Sequence, residues 1–156
     1  MTVDARDAVL NLANWLRWVT ETNGSNRGEA VDAIIRVTGL DPANRLPWCA
    51  AFVAACGYAV LREKWPLKKV AGCVSLYEDA FTKGLVRNTT EKGSIFLLWS
   101  PTLNRYHHTG FVVGPWTGTL WTTIEGNTNI DGSPEGTGVF QRTRSFNGES
   151  RFIQWW

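Results

Sequence analysis

The sequence predicts an α+β domain, with N-terminal helices packed on a C-terminal antiparallel sheet. Apolar residues recur at helical spacing up to Gly84 and alternate in short runs beyond it. Helices that precede the strands, rather than interleave with them, favour antiparallel pairing. The connection Pro115-Trp116-Thr117-Gly118 is also short enough to close a hairpin. With 156 residues the chain fits one domain, 1-156. A domain of that length buries roughly 70% of its unfolded surface and needs neither disulfide nor metal to close a core.

In chain order, Val9, Leu12, Ala13, Leu16 and Val19 mark a first helix that ends in the turn-rich TETNGSNRG. A second runs from Glu29 to Val37 and stops at Gly39, with Pro42 beyond. The third begins near Pro47, whose fixed φ suits a first helical position, and runs to about Arg62. It is apolar on every face and so belongs at the centre of the domain. A fourth is expected from Ser75, where Ser75 and Glu78 match a capping box, to Gly84. Strands follow over Ser94–Trp99, His108–Gly114, Leu120–Asn127, Val139–Arg144 and Phe152–Trp156. If Gly114 faces Thr119 in the hairpin, Val112 faces Trp121 and His108 faces Glu125, with Asn127 further along the same side.

Composition excludes several classes. Sixteen basic against fourteen acidic residues leave a net charge of +2, too weak for a nucleic-acid footprint. The apolar uncharged run Leu46–Leu61 is sixteen residues with Pro47 and Gly57 inside it, short of the ~20 of a membrane span, so no membrane insertion is expected. The start, MTVDARDAVL, has acidic residues where a signal peptide needs a basic segment, so synthesis in the cytoplasm is expected. Cys49 and Cys56 are too far apart on one helix to bridge, and with Cys73 they are expected to be free thiols. The spacing of Cys, His and carboxylates fits no zinc pattern.

Cys49 stands in the first turn of the central helix, where the dipole and unpaired N–H groups favour a thiolate. The same position suits a small core residue. Cys56, deeper in the helix, has no such help, and Cys73 carries no signal of its own. The hairpin favours the reactive reading. A thiolate nucleophile needs a base, and the base needs a third group to hold its tautomer. His108, with Glu125 or Asn127 beside it, supplies both. His107 competes, but adjacent strand residues point to opposite faces, and the face of His108 is that of Glu125 and Asn127. Trp48, next to the cysteine, is expected at the substrate groove, and Trp116 on the hairpin tip is a candidate for stacking on a sugar.

The segments PWCAAFVAAC at 47–56, HTGFVVG at 108–114, IEGNTN at 124–129 and DGSPEGTGVFQRTR at 131–144 resemble the CHAP family of cysteine, histidine-dependent amidohydrolases and peptidases. NGSNRGEAVDAIIRVTGL at 23–40 is similar to the approach segment that such domains carry before the cysteine. The resemblance implies a papain-like fold and a hydrolase that cuts amide bonds in peptidoglycan, either an N-acetylmuramoyl-L-alanine amidase or a stem or cross-bridge endopeptidase. The family's nucleophile falls on Cys49, its base on His108, and its orienting acid and amide on Glu125 and Asn127. Some phage members carry an aspartate-rich calcium loop before the cysteine. Here that stretch is LDPANRLPW with Asp41 its only carboxylate, so no metal and no cofactor are expected. The implied setting is a monomeric lysin without a signal peptide, delivered to the cell wall by holin-type release as a phage endolysin, by injection, or on a virion. The alternatives are a non-catalytic wall-binding or virion structural module, and an intracellular papain-like thiol protease.

Overall fold

The apolar segment after Pro47 forms the centre of the fold. In the computed structural model, which describes residues 4–115, 117–129 and 136–156, this segment is helix α3, Cys49–Leu61, and every residue from Cys49 to Gly57 is buried. An all-apolar helix must be covered on each side. Helices α1 (Ala5–Trp15) and α2 (Glu29–Arg36) and strands β3 (Arg105–Pro115) and β4 (Leu120–Thr128) all pack against it. Helix α4 (Cys73–Thr82) lies on β3. The remaining strands are β1 (Val86–Arg87), β2 (Ile95–Ser100), β5 (Gly138–Ser145) and β6 (Arg151–Ile153).

The strands form one sheet in the order β1-β6-β2-β3-β4-β5, and every pairing is antiparallel. Alternation divides its residues between two apolar clusters. Ile95, Leu97, Phe111, Ile124 and Ile153 join the main core with α3, and Phe52 meets Phe111 edge-on at 6.3 Å. Phe96, Val112 and Phe152 form a smaller cluster with Leu98, Trp121 and Phe146 on the opposite face. The α+β class and antiparallel sheet are therefore as the hydrophobic periods predict.

The differences are local. The first predicted helix ends at Trp15 and continues as a 3-10 turn, Leu16–Trp18. Helix α4 starts at Cys73 rather than Ser75: the Leu76 N–H already reaches the Gly72 carbonyl at 3.0 Å, which leaves Ser75 inside the first turn and the capping box unused. The short strand β1 has too few residues to show a period.

The hairpin register is also shifted. Val112 faces Thr123, not Trp121, and Phe111 faces Ile124. A turn closed by Leu120 N–H on the Thr117 carbonyl, 2.9 Å, and a bulge between Val112 and Gly114 move the pairing by two residues. An even slip leaves the faces unchanged, so His108 and Glu125 still share a side. Gly126 sets how closely this hairpin meets the helix: a Cβ there would lie 2.6 Å from Phe52 Cβ and 2.9 Å from the Trp48 ring.

Candidate active site

Two helix N-termini and the start of β3 meet around a cavity of about 500 Å³, bordered by Leu40, Pro47 and Cys49 on one side and by Cys73, Tyr106 and His107 on the other. Cys49 is the first residue of α3 and Cys73 the first of α4. Their sulfurs are 3.6 Å apart. Both are free thiols and nearly buried, at 3% and 7% exposure.

His108, 1% exposed, reaches Glu125 Oε2 with Nε2 at 2.7 Å. This answers the choice the sequence leaves open: Glu125, not Asn127, holds the ring. Glu125 is itself fully buried and fixed on three sides. Thr123 Oγ1 donates to Oε1 at 2.6 Å, Arg144 Nε donates to Oε1 at 2.7 Å, and Arg144 Nη2 donates to Oε2 at 2.5 Å. With Nε2 engaged, the other ring nitrogen, Nδ1, is buried and has no hydrogen-bond partner among the described residues.

The charges reinforce this order. A hydrogen bond from Cys73 does most to hold the Cys49 thiol well below its usual range; His108 and the Ala50 N–H at the helix start act the same way, and together they outweigh burial. For His108 burial favours the neutral ring, but Cys49 and then Glu125 outweigh it and lift the imidazole to about 9. Burial likewise opposes ionisation of Glu125, yet Arg144 first and His108 second bring it down to about 2. The shifts favour charges that alternate in sign along the row Cys49, His108, Glu125 and Arg144. The Cys49 thiol and the His108 ring each favour the charged form of the other.

His107 is not dismissed by strand alternation as the sequence suggests. Leu98 pairs with His108 and Trp99 with Tyr106, which makes His107 the extra residue of a β-bulge and lets it border the same cavity. What separates the two histidines is charge. Burial, then the neighbouring His108 charge, push His107 below its usual value, and no carboxylate among the described residues receives its ring.

Two other expectations are corrected. Trp48 is not on a groove wall: it is fully buried, and its Nε1 donates to Glu21 Oε1 at 2.8 Å. Asn127 makes no hydrogen bond to His108 among the described residues. Its Oδ1 accepts from the Trp48 backbone N–H at 3.0 Å, and its Nδ2 donates to the Gly136 carbonyl at 2.8 Å and to Asn26 Oδ1 at 3.1 Å. It therefore anchors the residue that precedes Cys49. Trp116 lies outside the described residues. Cys56 is fully buried, and burial alone pushes its thiol far up, as suits a packing residue.

Sequence reasoning missed Cys73, Thr123 and Arg144. The alternation Gln141-Arg142-Thr143-Arg144 in β5 was the available signal for Arg144, since Thr123 pairs with Arg142 and Trp121 with Arg144, on the face of Glu125. Nothing local marks Cys73; only the packing of α4 beside α3 brings the two sulfurs together.

No family model matches this chain, and no curated protein matches it. Among solved structures it is similar to one described as "The crystal structure of Ly7917", with a TM-score of 0.53 and 13% identity over 95% of this chain. The chain spans 61% of the length of that one. At this identity the likeness concerns the fold. No helix among the described residues is long and apolar enough to cross a membrane, and no group of three or more His, Cys, Asp or Glu side chains among them is arranged to hold a metal ion.

Proposed function

We propose that this protein is a cysteine-dependent amidohydrolase of the CHAP type, on a papain-like plan, that cuts an amide bond in peptidoglycan. The observation that carries the reading is the free Nδ1 of His108: its opposite nitrogen is spent on Glu125, which leaves Nδ1 to hold and return the proton of Cys49. The Cys49 thiolate attacks the scissile carbonyl, and the carbonyl oxygen takes up the negative charge. The Cys49 backbone N–H, at a helix start where N–H groups lack intrahelical acceptors, stands next to it as an oxyanion donor, a contribution of about 3 kcal/mol. His108 protonates the leaving amine, the acyl group remains on sulfur as a thioester, and water, deprotonated by His108, releases it. Glu125 stabilises the imidazolium; Arg144 and Thr123 position Glu125. The net charge of +2 suits an anionic envelope.

The test is digestion of purified sacculi, followed by mass spectrometry of the released muropeptides. Wild-type protein releases soluble fragments, either free stem peptides or shortened cross-links. Cys49→Ala and His108→Ala release none while keeping the wild-type circular dichroism. Full activity of Cys49→Ala sinks the mechanism, and cleavage of casein but not sacculi reassigns the substrate to proteins.

A further inference from the structure

The mechanism above uses one thiol, yet the cavity holds two. Cys73 Sγ lies 3.6 Å from Cys49 Sγ, and the thiols border a space of about 500 Å³ that easily admits a molecule little larger than water. A disulfide needs a sulfur separation of about 2.05 Å, so a closure of about 1.5 Å joins them. We propose that Cys49 and Cys73 form a peroxide-reactive dithiol in which Cys49 is the oxidised sulfur and Cys73 the resolving one, so that hydroperoxides reversibly shut the site. The consequence for activity rests on the hydrolase reading; the chemistry of the two sulfurs does not.

The electrons and protons balance in two steps. The Cys49 thiolate attacks one oxygen of a hydroperoxide and breaks the O–O bond. Sulfur is oxidised to a sulfenic acid, and the departing hydroxide, or alkoxide, takes the proton held on His108. Cys73 then loses its proton and attacks the Cys49 sulfur, which forms the S–S bond and expels hydroxide; that hydroxide takes the Cys73 proton and leaves as water. Two thiols and one peroxide give one disulfide and two molecules of water, or one water and one alcohol.

The site imposes the order of these steps. While Cys49 is a thiolate, its hydrogen bond, together with burial and its negative charge, keeps the Cys73 thiol well above its usual range, and only Arg105 pulls the other way. Cys73 is therefore the donor, not the nucleophile. Oxidation of Cys49 to a neutral sulfenic acid removes that charge, and Cys73, at the N-terminus of a ten-residue helix, is then released to ionise. Cys56, the third thiol, is sealed inside α3 and serves as an internal control.

The experiment treats the reduced full chain with hydrogen peroxide and reads intact mass and a peptide map. The expected result is loss of two hydrogens in a monomer, a linked peptide containing Cys49 and Cys73, and Cys56 still free. In Cys73→Ser the linked peptide is lost and Cys49 is captured by dimedone as a sulfenic acid, then proceeds to higher oxides. Treated wild-type protein loses wall hydrolysis and regains it with dithiothreitol; treated Cys73→Ser does not regain it. Stable sulfenic or sulfinic acid on Cys49 of the wild type, a bridge to Cys56, or bridging only between molecules overturns the proposal. Absence of hydrolysis before any treatment counts against the hydrolase alone, because the peptide map decides the dithiol without it.

Discussion

Arg144 grips both oxygens of Glu125, Nε to Oε1 at 2.7 Å and Nη2 to Oε2 at 2.5 Å, and shares Oε2 with His108 Nε2. Removing one partner of a buried ion pair leaves the other charge uncompensated, which typically costs about 3–5 kcal/mol. Arg144→Ala is expected to lose stability of that order in urea unfolding at neutral pH. The sign with pH follows from the depressed carboxyl. Its stabilisation is complete above the ordinary 4.5 and is lost as pH falls toward about 2. Without Arg144 the carboxyl titrates higher, so acid unfolding followed by circular dichroism begins at higher pH than in the wild type.

Cys49 and His108 should titrate as a pair. The imidazole is lifted to about 9 from 6.5, so its contribution to stability is complete below 6.5 and fades as pH rises through about 9. The thiol moves the other way. Alkylation of Cys49 by iodoacetamide, read by peptide mass, is therefore expected to remain fast well below the usual thiol range. In His108→Ala the midpoint of that alkylation profile moves to higher pH. An unchanged midpoint would mean that the ring does not support the thiolate.

Glu125 and Asn127, equivalent in sequence reasoning, should separate experimentally. Glu125→Gln removes the charge that stabilises the imidazolium, so the His108 titration drops below about 9 and the alkaline limit of activity falls with it. Asn127→Ala leaves that limit in place. It frees the Trp48 N–H and puts a Cβ-bearing residue without a helpful amide at φ 56, so stability falls by about 1–3 kcal/mol through the orphaned donor and the strained backbone. A pH–rate profile of sacculus digestion distinguishes the two.

Much of this was legible in the sequence because it depends on period and parity. The all-apolar run after Pro47 fixes α3 at the centre, and the even slip of the hairpin leaves His108 and Glu125 on one face although the expected pairs, Val112 with Trp121 among them, do not form. What parity cannot see is a bulge: the extra residue at His107 puts that ring on the cavity border. Trp48 departs from expectation for a related reason. Adjacency to Cys49 suggested a groove, but successive residues at a helix start point in different directions, and this one turns inward to Glu21. Cys73 depends on the packing of two helices far apart in sequence, and no local pattern encodes that.

Gly126 tests whether the site depends on the seating of α3. The nearest atom to a Cβ at this position is Phe52 Cβ at 2.6 Å, and every residue except glycine carries that atom, so shortening Phe52 offers no relief. Either the helix or the strand must shift. Overpacking of this kind typically costs about 1–3 kcal/mol, and Gly126→Ala is expected to unfold earlier in urea by that amount. Because Gly126 sits between Glu125 and Asn127, the shift also moves Cys49 relative to His108, and the alkylation rate of Cys49 near neutral pH falls. Gly118→Ala provides the contrast. It strains the hairpin turn at φ 56, with no atom within 4 Å of the new methyl, and so costs stability without touching α3. If both variants slow alkylation equally, the effect is loss of stability in general and the seating of α3 on β4 has no special part in it.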